Sequence, residues 1–338
     1  MRPIGQPSNP LWFGTGIHLA FAEWYIPGKK RGVDLRETWI KYCEEEVRFI
    51  KTQAINGDGS EEKIAEYVEA TELGLIMIEG YLQEYGNDDN WDVIAPEQVF
   101  AVLIPDGYGE PIVELNGTFD GVYRDMVDGM IKLMEHKTAA QISLDHLSLD
   151  DQVGTYWAVA THRLREIGLI GKRESIEGVT YNVLRKAKPD TRPVDEDGMA
   201  RNNPIKKHYL EAFEGLKWAP ENGTIAELEE YARENGIIVF GDVSKTQPAA
   251  NFVREFVPRT RYEMKTQLQR ISNEAIHMDM MRRGELPLYK TPTRDCSRFC
   301  EFFHMCELHE STPDWTDFRD VMFKVEDPYA AHRNRKSA

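Results

Sequence analysis

Apolar and polar positions divide the chain into helical flanks around a block of strands. The segment FGTGIHLAFAEWY reads as the start of a helix after a Gly-rich lead-in, and His18 lies within it. From about Leu35 to Tyr85 the pattern is helical, with Ser60 as a candidate N-cap, and Asn87 to Asn90 form a loop. Three strands follow, around 99–104, 112–124 and 130–138. A helix begins near Asp150 and Asp151, whose acids suit a helix N-terminus, and ends at Gly168. GVTYNVLRKAKP is a further strand, stopped by Pro189. Beyond it, RPVDEDGMARNNP is loop, TIAELEEYARENG a helix, IIVFGDV a short strand, and 262–283 an amphipathic helix. A Pro-containing linker, a cysteine-rich knot and a polar tail close the chain, and there is no internal repeat.

The most informative stretch is GTFDGVYRDMVDGMIKLMEHKTA, residues 117–139. Asp128-Gly129 is a hairpin signal, because it supplies the positive φ of a two-residue loop. Closing Val127 on Met130 sets Asp120 opposite Lys137 and Glu135 opposite Val122. Side chains alternate along a strand, so Asp120, Glu135 and Lys137 share a face. Opposed residues sit roughly 5 Å apart. Carboxylates that close repel unless a cation lies between them, so the face is a seat for a hard divalent ion. Such a trio on a strand is otherwise a solvated, salt-bridged surface. The flanks IVELNGTF and MIKLM, apolar enough for the interior of a sheet, favour a buried site.

At 338 residues and 41% hydrophobic content the chain is globular, in one elaborated domain or two. No apolar run is long enough to span a bilayer and the first residues lack a signal-peptide pattern, so a cytoplasmic protein is expected, with no membrane partner. The formal charge of −16 counts against nucleic acid as a partner. Bases nevertheless group at Arg163, Arg165, Lys172, Arg173, Arg185, Lys186 and Lys188. A second group is Arg254, Arg259, Arg261, Lys265 and Arg270, with Arg282 and Arg283 beyond. They are either ordinary surface charge or a phosphate-tracking groove.

In order, His18, Asp120 in NGTFD, EHK at Glu135–Lys137 and Gln152-x-x-x-Tyr156 resemble the PD-(D/E)XK nuclease superfamily. More narrowly they are similar to its RecB/AddB-like branch of CRISPR-associated and phage-type exonucleases. The resemblance covers about 11–188 and the C-terminal cysteines. It implies an α/β, restriction-endonuclease-like core, a central mixed sheet flanked by helices, at 99–189. An N-terminal helical region at 1–98, an insertion of unknown role at 190–260 and a C-terminal helix with cysteine staple at 261–338 surround that core. It further implies that His18, Asp120, Glu135 and the backbone carbonyl of His136 hold Mg2+ or Mn2+, and that Lys137 assists the attacking water. By the same resemblance Gln152 and Tyr156 would support the site and the DNA strand. Taken alone, His18 reads as a structural histidine, and Gln152 with Tyr156 as helix packing. The implied activity is a DNA exonuclease acting on single-stranded or duplex ends in phage or bacterial recombination, repair or replication. GxxxxGK[ST] is lacking, so any helicase or recombination protein would be a separate partner. The alternatives are a structure- or sequence-specific endonuclease, a non-catalytic DNA-end-binding adaptor, and an unrelated acidic metal-binding protein.

Four cysteines remain: Cys43, Cys296, Cys300 and Cys306. The last three lie within DCSRFCEFFHMC, a density typical of metal binding. Their spacing resembles the C-terminal half of the branch's [4Fe–4S] staple, which implies Cys43 as fourth ligand. Two departures stand out: three residues, not two, separate Cys296 from Cys300, and Cys43 follows His18 instead of preceding it. The alternatives are structural Zn2+ with His304 or His309, and Cys43 as a buried apolar thiol.

Overall fold

The computed structural model describes residues 2–3, 9–55, 61–216, 220 and 222–325. Strand β1 is Arg2–Pro3, and helices α1 (Asn9–Trp24), α2 (Leu35–Ile55) and α3 (Glu61–Tyr85) form one layer. Ser60, the expected cap of α3, lies outside the described residues. His18 sits in the body of α1, not at its start, because Gly14 and Gly16 are helical. Gly16 is needed for close approach: a Cβ there would meet the Tyr42 and Trp39 rings at 2.5–2.6 Å. On α2, Leu35, Trp39 and Cys43 recur every four residues and are all buried.

Strands β2 (Trp91–Pro105), β3 (Pro111–Asp125), β4 (Ile131–Ala139), β5 (Ile176–Arg185) and β6 (Phe252–Pro258) form one mixed sheet in the order β2-β3-β4-β5-β6. Only β4 and β5 run parallel. A parallel pair needs a crossover, and helix α4 (Asp151–Glu166) lies within it. The sheet is packed on both faces. Met134 and Leu184 face the α1–α3 layer with Phe21 and Tyr81. Leu133, Val179 and Val183 face Trp157 and Leu164 of α4. This is the expected α/β architecture, a mixed sheet flanked by helices.

The β3–β4 hairpin departs from expectation in register. Gly121 pairs with Met134, Val122 with Leu133 and Arg124 with Ile131. The ladder is thus displaced by two residues, and its continuation sets Asp120 level with Glu135, not with Lys137. Only Gly129 takes a positive φ, of 75°, so a two-residue loop needing two such residues does not form. A wider loop closes instead, with Asp125 N–H donating to the Met130 carbonyl. Lys132 braces it from below at 2.8 Å from Asp125 and 2.6 Å from Asp128. A two-residue shift preserves alternation, so the shared face survives.

Between β5 and β6, α5 (Lys206–Ala212) and α6 (Ile225–Glu234) enclose a small core of Tyr209, Phe213, Leu228 and Ala232. IIVFGDV is not a strand; it contributes one isolated bridge, Arg201 to Val243. β6, which the residue pattern had not marked, falls in the 190–260 stretch yet completes the main sheet. Its Arg254 reaches Asp88 at 2.5 Å and the Tyr81 hydroxyl at 2.6 Å, pinning the sheet edge to the helical layer. α7 (Arg261–Arg282) packs on α4. α8 (Cys296–Phe299), α9 (Phe303–Ser311), α10 (Trp315–Met322) and β7 (Phe323–Lys324) follow. β7 pairs antiparallel with β1, joining the two ends of the described chain. No helix among the described residues is long and apolar enough to cross a membrane.

Candidate active site

Where the β3–β4 ladder ends, the strands open and a cleft of about 480 Å³ forms. His18, Asp120, Glu135, His136, Lys137, Gln152 and Tyr156 all border it. The sequence-derived set thus comes together from α1, β3, β4 and α4. Asp120 Oδ1 lies 3.3 Å from His18 Nδ1, and Asp120 Oδ2 accepts the backbone N–H of His136 at 2.7 Å. Lys137 Nζ stands 2.7 Å from Glu135 Oε1 and 3.8 Å from Asp150 Oδ2. Gln152 donates to the Tyr156 hydroxyl at 3.2 Å, and Tyr156 sets its ring edge-on against Phe100.

The electrostatics are those of two acids sharing a poorly hydrated site. Burial first, and then the neighbouring charge of Asp120, push the Glu135 carboxyl up to about 7, although Lys137 pulls the other way. Burial likewise disfavours the Asp120 carboxylate, but the bond and charge of His18 outweigh it and hold Asp120 below its ordinary value. For His18 and Lys137 burial opposes the charged form. The acids around them prevail, and both hold their protons more tightly than usual. His136 turns its ring the other way, stacked on Phe21 at 4.2 Å with Nδ1 3.0 Å from Asn182 Nδ2. Burial drops its pKa to about 3, so the ring stays neutral.

Four contributors escaped sequence reasoning. Asp150 was visible as a helix-start acid, and it does cap α4, accepting Val153 N–H at 3.1 Å. Its second oxygen, facing Lys137, was not foreseeable. Glu97 lies between the pairs Pro96–Gly121 and Gln98–Phe119, hence level with Asp120 on β2, and its charge helps His18 keep its proton. Asn116 and Thr118 line the cleft because they alternate with Asp120 on β3.

Among the described residues no three His, Cys, Asp or Glu side chains already converge as a closed metal cage. Around the cleft the reason is specific: Glu135 is turned to Lys137 while Asp120 holds His18. The donor set still fits a hard divalent ion. Two carboxylates level on adjacent strands, one of them driven to hold its proton by burial and by the charge of the other, are relieved by a cation between them.

The expected four-cysteine cluster is a different matter. Cys43 packs among Trp12, Trp39 and Tyr67, and burial pushes its thiol up to about 12, against the thiolate that iron or zinc needs. Cys296, Cys300 and Cys306 are free. His304 pairs with Glu307, and His309 lies against Trp315. Among the described residues no assembled set supports the [4Fe–4S] or zinc expectation, and the Cys43 thiol lies in an apolar cluster.

No curated protein matches the chain. A family model does, over residues 2–307, a span that holds every residue of the cleft and the whole five-stranded sheet. Fold, cleft and match agree that the chain belongs to the PD-(D/E)XK nuclease superfamily.

Proposed function

We propose that this protein is a Mg2+- or Mn2+-dependent deoxyribonuclease that removes nucleotides from DNA ends, serving recombination, repair or replication in a phage or bacterium. Membership of the superfamily supports nuclease activity on DNA and the general use of a divalent metal. The observation that carries the reading is the meeting of His18, Asp120, Glu135 and Lys137 on one cleft. The end-directed mode rests on the RecB/AddB-like order of these residues.

In this reading His18, Asp120, Glu135 and the carbonyl of His136 hold the ion. When bound, it would polarise a phosphoryl oxygen and acidify a water. The protein's own share is positional. Lys137, held between Glu135 and Asp150, directs its ammonium into the cleft, where it orients the water and offsets charge growing on phosphorus. Asp150 fixes that lysine while capping α4, so the helix bearing Gln152 and Tyr156 is registered to the nucleophile's position. A pure end-binding adaptor has no use for a lysine set among carboxylates.

The test is digestion of 5′- and 3′-labelled single and double strands with and without Mg2+, beside a covalently closed circle. An exonuclease leaves the circle intact and shortens the linear strands from one end. Nicking of the circle would instead assign an endonuclease, and binding without cleavage an adaptor.

A further inference from the structure

The two basic groups of the sequence meet in a second cleft, of about 670 Å³, on another part of the surface. Arg165 of α4, Arg173 of the α4–β5 connection, and Arg259, Arg261 and Lys265 at the β6–α7 junction line it, against a single acid, Glu177. Among the described residues Arg165, Arg173, Arg261 and Lys265 have no carboxylate within ion-pair distance. The Arg259 side chain is 7% exposed and lies 3.8 Å from Glu263; its buried Nε has no partner there, while its other nitrogens hold the carbonyls of Ser148 and Leu147. Five cations crowded together repel one another, and α7 adds the positive end of its dipole. In a chain of charge −16 this is an isolated positive basin. Met264 and Leu268 supply an apolar floor between the charges.

Apart from Arg259, whose guanidinium shares the Leu147 carbonyl with the Tyr181 hydroxyl, the basin stands away from the carboxylates. Ile176 of β5 lines it, whereas Tyr181, Asn182 and Val183 of the same strand run beside Glu135, His136 and Lys137. Five to seven residues of strand make a separation of about 20 Å. That is about six nucleotides at 3.4 Å each.

We propose that this cleft is an exosite for the phosphodiester backbone of the DNA substrate, several nucleotides from the bond that is cut. The inference rests on the nuclease reading for the identity of its ligand, but it is tested by binding alone. The cations seat phosphates, and the apolar floor seats the deoxyribose between them. They read no sequence, so the site adds grip and length dependence.

The experiment measures binding of fluorescein-labelled single-stranded and duplex DNA, about 30 and about 6 nucleotides long, across a salt series in chelator. It uses the full chain and the variant Arg173→Ala/Arg261→Ala/Lys265→Ala, all at exposed positions. The variant is expected to bind the longer DNA about tenfold or more weakly, with a salt slope lower by about two to three, and the shorter DNA with a much smaller loss. Unchanged affinity for the longer DNA in a folded variant overturns the exosite. So does an equal loss in Lys206→Ala/Lys207→Ala/Lys245→Ala, which removes charge elsewhere. The nuclease reading fails on a separate result, wild-type protein that leaves DNA uncut in Mg2+.

Discussion

Asp120 and His136 are tied together at the point where their strands part: the backbone N–H of His136 donates to Asp120 Oδ2 at 2.7 Å. The last ladder pair is Gly121 with Met134, so a side-chain carboxylate replaces the carbonyl that a continued strand would offer. This bond holds one acid of the cleft level with the other and satisfies an N–H that burial would otherwise strand.

Asp120 can therefore be split into two roles. Asp120→Asn keeps an acceptor for His136 and should change stability by less than about 1 kcal/mol, while cleavage falls by about a thousandfold or more. Asp120→Ala should lose the same activity and an additional ~1–3 kcal/mol, the cost of a buried unpaired N–H. Urea unfolding beside a cleavage assay separates the two, and equal stability of both variants would deny the bond its structural role.

Glu135 predicts an unusual pH dependence in chelator. Its folded value of about 7 lies above the ordinary 4.5, so the folded state binds the proton more tightly. The stability it lends is complete below about 4.5 and is lost as pH rises through about 7, on the order of 3 kcal/mol at most. His136, whose pKa is depressed, acts oppositely, costing stability as pH falls below 6.5. Subtracting the curve of Glu135→Gln isolates the first effect. Wild type minus variant should fall between pH 4.5 and 7, and a flat difference would show that neither burial nor Asp120 raises the Glu135 carboxyl.

Lys132 should matter to folding. Its side chain is 6% exposed, bonds both Asp125 and Asp128, and lies 4.6 Å from the Phe256 ring centroid. Lys132→Ala is expected to cost ~2–4 kcal/mol by loosening the loop that sets the β3–β4 register. A loss under ~0.5 kcal/mol in urea unfolding would mean the loop closes without its brace.

The Arg254–Asp88 pair should be more costly still. Asp88 is buried, and Arg254 stacks 3.8 Å from the Tyr85 ring centroid and 4.3 Å from that of Trp91. Arg254→Ala strands a buried carboxylate, for ~3–5 kcal/mol. Adding Asp88→Asn to it should recover part of that loss, which a double-mutant cycle measures.

Much of the site was legible because period two is a robust signal. Asp120, Glu135 and Lys137 share a face under either register, so a two-residue error in pairing did no harm to the trio. The register itself depends on how Lys132 gathers Asp125 and Asp128, a tertiary fact without local signature. β6 was hidden because FVREFVP is a half-buried edge strand whose Arg254 looks like surface charge yet points into the core. Glu97 was hidden because the strand was expected to start only at about 99, whereas β2 runs from Trp91 through Pro96. The burial of Cys43 was legible, since Leu35, Trp39 and Cys43 mark a buried helical stripe. The motif spacing of the C-terminal cysteines outweighed that periodicity.

The most direct measurement is the rate of nucleotide release from end-labelled linear DNA in Mg2+ by wild type, Glu135→Ala and Lys137→Ala, with folding checked by circular dichroism. Wild type should digest the DNA, and each variant should be slower by about a thousandfold or more while keeping its fold. Folded variants that digest at the wild-type rate would contradict the assignment of the cleft.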